Sequence, residues 1–167
     1  MAQQKMTTPQ ELFVHELSDM MSAERIIAKM LADGQKLVDN PEIKQGLQKH
    51  EKETQQHIQN LEAVFEELGQ KPEKIECHAA KGLQEELQEL GKEGGSPEVL
   101  NAGVVGGAAK TEHYEIATYT GLVKKAKAMS QTKVAGLLEK NLKQEQDMLK
   151  QIETIEDKLV KQVAPAS

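Results

Sequence analysis

Apolar side chains recur along this chain at alternating steps of three and four in four separate runs, and that spacing predicts four amphipathic helices, each with one buried seam. In the first run Phe13, Leu17, Met20, Glu24, Ile27 and Leu31 share a face. It opens at Thr8-Pro9-Gln10-Glu11, where Thr8 suits a cap, Pro9 the first helical position and Glu11 the return bond of a capping box. A helix is expected over about 8–38. Asn40-Pro41 repeats the signal for a second helix over about 41–68, whose seam is Ile43, Leu47, His50, Thr54, His57, Leu61, Val64 and Leu68, with Gly69 as its stop. Ser96-Pro97 opens a third over about 97–127, carrying Ala102, Val105, Ala109, Glu112, Ile116, Tyr119, Val123 and Ala126. Ser130 is the expected cap of a fourth over about 131–161, with Val134, Leu138, Leu142, Glu145, Leu149, Ile152, Ile155 and Leu159 inward. Ala164-Pro165-Ala166-Ser167 reads as a frayed tail.

Between Gly69 and Ser96 the pattern weakens to a short amphipathic piece, Leu83, Leu87 and Leu90, ended by Gly91. A connection this long needs a topological reason. If the second and third long helices run in the same direction, the chain must travel the length of the bundle between them. The expected fold class is therefore all-α: an antiparallel four-helix bundle, one domain over 1–167, with a long crossover at 69–96 that holds a short extra helix. The small residues Gly103, Gly106, Gly107 and Ala108 are expected to permit close helix approach.

Composition strengthens the helical reading and removes several functions. Hydrophobic residues are 38%, charged residues 29% and aromatics only 2%, with helix formers abundant. The 27 acids exceed the 21 bases, giving a net charge of −6, and the bases form no stripe, so nucleic acid is not an expected partner. Cys77 is the single cysteine, which excludes an intramolecular disulfide and suits a reducing compartment. Met1-Ala2-Gln3-Gln4-Lys5-Met6 lacks the apolar stretch of a signal peptide, and Val99 to Ala109 is too short and too rich in glycine to span a membrane. A cytoplasmic protein is expected. No glycine-rich phosphate loop, His-Glu-x-x-His motif or nucleophile elbow is present.

The candidate chemistry lies in acids that interrupt the seams. Glu24 and Glu112 sit mid-seam, Glu145 recurs on the fourth helix, and Glu53 stands beside Thr54, one turn from both His50 and His57. A lone glutamate on a seam is more often a boundary residue reaching water; one near the middle of each of four helices converges on one level of a bundle. Four buried carboxylates without counter-charge would cost several kcal/mol each or be forced neutral. The only arginine, Arg25, points about 100° away from Glu24. Two divalent cations would balance the four, with imidazoles completing the coordination. The expected metal ligands are Glu24, Glu53, Glu112 and Glu145, supplemented by Glu115, His57 and His50. Core histidines bonded to neighbours are an equal alternative for the last two. His113 is expected in support or at the surface, Tyr119 in core packing or against the ligand shell, and neither His15 nor Cys77-His78 forms a site alone.

The segments Glu16-Leu-Ser-Asp19 with Ser22-Ala-Glu24, His50 to Thr54, and above all Lys110-Thr-Glu-His-Tyr-Glu-Ile-Ala-Thr-Tyr119 resemble the ferritin-like YciE/YciF family of bacterial stress-associated proteins, a likeness running from about Thr8 to Leu159. The resemblance implies a ferritin-like bundle, a di-iron-type carboxylate site and a homodimer. By analogy with the bundle motif, Glu53 and Glu145 would bridge two iron (or manganese) ions, with Glu24 and Glu112 terminal, in reactions with peroxide or dioxygen. Gln56 and Met148 stand where that motif has histidines. Two other readings remain: a ferritin-type iron storage cage, and a metal-free structural or interaction bundle.

Overall fold

The computed structural model describes residues 6–163, and side chains to 161; Met1–Lys5 and the tail 164–167 lie outside the described residues. Among these residues the chain forms five helices and no strand: α1 (Pro9–Leu37), α2 (Pro41–Leu68), α3 (His78–Glu93), α4 (Pro97–Ala128) and α5 (Thr132–Val163).

Local chemistry sets most boundaries. Glu11 N donates to Thr8 Oγ1 at 3.2 Å while Thr8 N donates to Glu11 Oε2 at 2.9 Å, a complete capping box. Asn40 Oδ1 accepts from the backbone of Glu42 and Ile43 at 2.9 and 3.3 Å. Gly69 ends α2 in the left-handed region at φ 61°, where its N–H reaches Glu66 O and the next N–H reaches Phe65 O. Two expectations need correction. Ser130 does not cap the last helix: at φ 60° it turns the chain out of α4, its N–H bonded to Lys127 O, and the Gln131 carbonyl accepts the first α5 bond from Ala135. Gly91 does not stop the crossover helix, which continues to Glu93 and closes at Gly94 with φ 69°.

Cross-helix contacts give the topology. Gln35 meets Glu51 while Glu24 meets His57, so α1 and α2 are antiparallel. Lys158 to Glu42 and Lys133 to Glu67 make α2 and α5 antiparallel, and Lys125 to Glu16 with Val104 beside Gly34 makes α4 and α1 antiparallel. Around the bundle the order is α1–α2–α5–α4. The diagonal pair α2 and α4 consequently run the same way, the condition that demands a long crossover. α3 lies within that connection and packs on α1 and α4.

The core contains Phe13, Leu17, Met20, Ile27, Leu61, Tyr119, Leu122 and Leu138, all at or below 1% exposure. Each such side chain contributes about 1.5–3 kcal/mol by leaving water. Two seams are rotated from expectation. On α5 the buried line is Val134, Leu138, Asn141, Glu145, Met148 and Ile152, with Leu142 and Leu149 at its border. On α4 Ala102 is exposed and Glu115 is buried in preference to Ile116. Of the three glycines among the small residues, only Gly103 meets another helix closely: a Cβ there would lie 2.7 Å from Leu90 Cδ2, whereas Gly106 and Gly107 face open space.

Candidate metal centre

Halfway along the bundle the seams bring charge inward. Steps of three and seven place Glu112 with Glu115 and His50 with His57 on single helix faces. Glu24 enters from α1, the histidines from α2, Glu112 and Glu115 from α4, and Glu145 from α5; all six are at most 1% exposed. Their ligand atoms form two groups within which all atoms lie inside 4.8 Å of one another: His50, Glu112, Glu115 and Glu145, and Glu24, His57 and Glu145. Glu145 belongs to both.

The histidines face the acids through one nitrogen each. His50 Nε2 lies 3.0 Å from Glu112 Oε1 and 3.4 Å from Glu145 Oε2. His57 Nδ1 lies 2.8 Å from Glu145 Oε1 and 3.4 Å from Glu24 Oε1. Behind His57, Nε2 is 3.0 Å from Gln144 Oε1; His50 Nδ1 lies 3.5 Å from Glu53 Oε2. When the His57 ring is neutral, Gln144 behind it favours the tautomer whose Nδ1 lone pair points into the cluster. Tyr119 donates its hydroxyl to Glu24 Oε1 and accepts from Asn141 Nδ2 at 2.9 Å. Asn141 is held in turn by Asn60 at 2.6 Å and the His57 carbonyl at 3.3 Å.

No lysine or arginine pairs with the four acids among the described residues; their only cationic neighbours are the two imidazoles. Burial pushes the carboxyls of Glu24, Glu115 and Glu145 above their ordinary range, that of Glu115 furthest, with neighbouring carboxylates adding to it. Burial works against a charged His57, but Glu145 and Glu24 outweigh it and raise its pKa to about 10. At His50 Glu112, Glu53 and Glu145 likewise outweigh burial, and the pKa is raised well above the ordinary value. The metal-free centre is thus a proton-sharing cluster with more acceptors than donors. Both Glu115 oxygens, Glu24 Oε2 and Glu112 Oε2 are buried without a hydrogen-bond donor, and the Glu145 oxygens face only the two imidazoles. Such a donor set, hard oxygens with two imidazoles, suits divalent cations.

A family model described as "Domain of unknown function (DUF892)" matches residues 8–164. The chain belongs to the DUF892 family. Protein YciF of Escherichia coli K12 is 35% identical over 141 residues, 84% of this chain and 85% of that protein. The crystal structure of the E. coli stress protein YciF matches with a TM-score of 0.90 at 31% identity, covering 93% of this chain and 99% of that one. YcfI of Rhodopseudomonas palustris, described as a candidate structural protein, matches with a TM-score of 0.88 at 34% identity, covering 92% and 98%. These relatives bear out the likeness to the YciE/YciF proteins and the helical-bundle fold.

Within this DUF892 chain, Glu24, Glu112, Glu115, Glu145, His50 and His57 converge, and Glu53 does not. Glu53 belongs to neither group: its side chain is 19% exposed, with Oε1 3.2 Å from Lys49 Nζ and Oε2 behind His50. The hydrogen-bonding distance to His50 and the Lys49 charge hold its carboxyl below the usual range, opposite to the cluster acids. Its phase explains this, since Thr54 one residue on takes the buried position. Gln56 is exposed and bonds Asn60, His113 is exposed, and His15 pairs with Glu73 away from the centre. Gln144, Asn60 and Asn141 escaped sequence reasoning; Asn141, three residues after Leu138 and four before Glu145, was recoverable from step spacing alone.

Among the described residues no helix is long and apolar enough to cross a membrane.

Proposed function

We propose that the buried cluster holds two divalent metal ions, iron or manganese, one at His50, Glu112, Glu115 and Glu145 and the other at Glu24, His57 and Glu145. Glu145 would serve both donor sets, and Glu53 lies behind His50. The carrying observation is the set of buried carboxylate oxygens without donors, four acids for which two cations supply the missing charge. Bound iron would supply electrons to peroxide or dioxygen, the function proposed for the site in a stress response. The chain's own residues would do the rest. Gln144 fixes His57 with Nδ1 as the lone-pair nitrogen, Tyr119 holds Glu24 through its hydroxyl, and the Leu, Ile and Met side chains on the Glu24 and His57 side exclude bulk water. A homodimer in the cytoplasm accompanies this reading; solution mass decides between it and a storage cage.

A second reading, a metal-free structural bundle, is favoured by the description of the R. palustris relative. Metal analysis after expression in iron-rich and manganese-rich medium separates the two. About two ions per chain are expected, falling to below one in Glu145→Gln and to about one in Glu24→Gln; fewer than one per wild-type chain in both media would leave the metal-free bundle.

A further inference from the structure

Beside the cluster, on the side away from Glu24 and His57, the bundle is hollow. A cavity of about 370 Å³ lies between α1, α3 and α4. Its walls are Ile27, Met30, Leu87 and Leu90 opposite the bare faces of Gly106 and Gly107, and its inner end is formed by His50 and Glu112. A second hollow of about 830 Å³, opening between α2 and α5, reaches the same two residues. Glu24 and His57 line neither.

The cavity's size falls within the range of small-molecule sites, which are mostly apolar with a few placed polar groups. Its polar end is formed by the His50 ring, whose Nε2 lies 3.0 Å from Glu112 Oε1, and by Glu112, whose Oε2 is buried without a hydrogen-bond partner; both residues are at most 1% exposed. Helix packing does not explain the glycines. A Cβ at position 106 or 107 would touch nothing within 4 Å, and glycine inside a helix is unfavourable relative to alanine. Small residues here keep the space open.

We propose that this cavity binds a neutral molecule with an apolar body, of the aliphatic alcohol or organic hydroperoxide class, its oxygen-bearing end against His50 and Glu112. An anionic head is disfavoured because the inner end lies beside the carboxyls of Glu112, Glu115 and Glu145, while at the wall Glu86 is paired with Lys110. This deepens the metal reading by naming the substrate class of that site, yet binding itself is measurable on metal-free protein.

The test uses the full chain stripped of metal by chelation, titrated with 1-decanol and with decanoate by calorimetry. Gly107→Leu fills the cavity on a helix that accepts leucine, and Gly121→Leu, at an open position outside it, is the control. Expected are one decanol per chain, at least tenfold weaker binding in Gly107→Leu, unchanged binding in Gly121→Leu, and weaker binding of decanoate. Absence of decanol binding, equal binding by Gly107→Leu, or preference for decanoate would each overturn the assignment. A change of solution mass in Gly107→Leu would also overturn it, marking the hollow as an interface with a second copy. Metal stoichiometry is read separately on Gly107→Leu and should stay at the wild-type value, so loss of the cavity and loss of the metal reading remain distinct results.

Discussion

Replacing Glu115 by methionine should make the metal-free protein more stable and the metal-loaded protein less so. Glu115 is 0% exposed, both its oxygens lack donors, and burial together with the charges of Glu145, Glu24 and Glu112 keeps its carboxyl far above the ordinary range. A buried polar group left unpaired costs about 1–3 kcal/mol. Methionine has similar reach and adapts to irregular space, so imperfect packing should return about 1 kcal/mol or less. The net gain is about 1–2 kcal/mol, or roughly 2–8 °C in Tm for a chain of this length. Manganese at about 100 times its Kd would add about 2.7 kcal/mol per independent site to the wild type. The variant forfeits that contribution at the site containing position 115. The two melting curves should therefore exchange order: variant above wild type in chelator, below it in excess manganese. Circular dichroism melts in both conditions decide the matter. A metal-free variant melting clearly below wild type, or an equal metal-induced rise in both chains, would refute the charge-imbalance reasoning.

Three other outcomes follow from the geometry. Glu24, Glu115, Glu145 and His57 all have raised folded pKa values, so each binds its proton more tightly in the folded state. Their stabilisation is complete below the ordinary values of 4.5 and 6.5 and is lost as pH rises, for His57 through about 10. Urea midpoints of the metal-free protein should accordingly fall between pH 6 and 8, while metal affinity, which requires those protons to leave, should rise over the same interval; parallel trends would contradict this. Gln144→Ala frees His57 Nε2 and should weaken metal binding about 10–100-fold with little loss of secondary structure, measured by competition with a chelator. Glu53→Ala should leave two metals per chain and lower affinity by roughly tenfold, whereas Glu112→Ala should remove one; loss of an ion from Glu53→Ala would restore Glu53 as a ligand.

Helix count, the caps at Thr8 and Asn40, and the stop at Gly69 were legible because they depend on residues within one turn of each other. The site was less so where chemistry and phase disagreed. On α2 the regular steps already name His50, Thr54 and His57 as inward, while Glu53, the carboxylate nearest them, lies about 100° off the buried line. On α5 the leucines at 142 and 149 outweighed Asn141 and Met148, although steps of 4, 3, 4, 3 and 4 from Val134 select the latter pair. Hydrophobicity misleads there because Asn141 is buried with its amide fully engaged by Asn60, His57 and Tyr119, partners supplied by other helices. The expectation for the glycines of α4 holds at Gly103 and not at Gly106 or Gly107, because nothing in a single helix's sequence distinguishes a close approach from a void.

The way the six cluster residues divide between the two hairpins shapes how the molecule assembles. The α1/α2 hairpin carries both imidazoles and one acid, and the α4/α5 hairpin carries three acids and no imidazole. Each hairpin can form from near-sequence contacts, but neither owns a complete ligand group, and the two halves attract one another through opposite charge as they dock. A metal ion finds its full set of donors only after that late step. Its presence should therefore slow unfolding while leaving the rate of folding nearly unchanged, so the centre acts as a latch on a finished bundle and not as a template for building one.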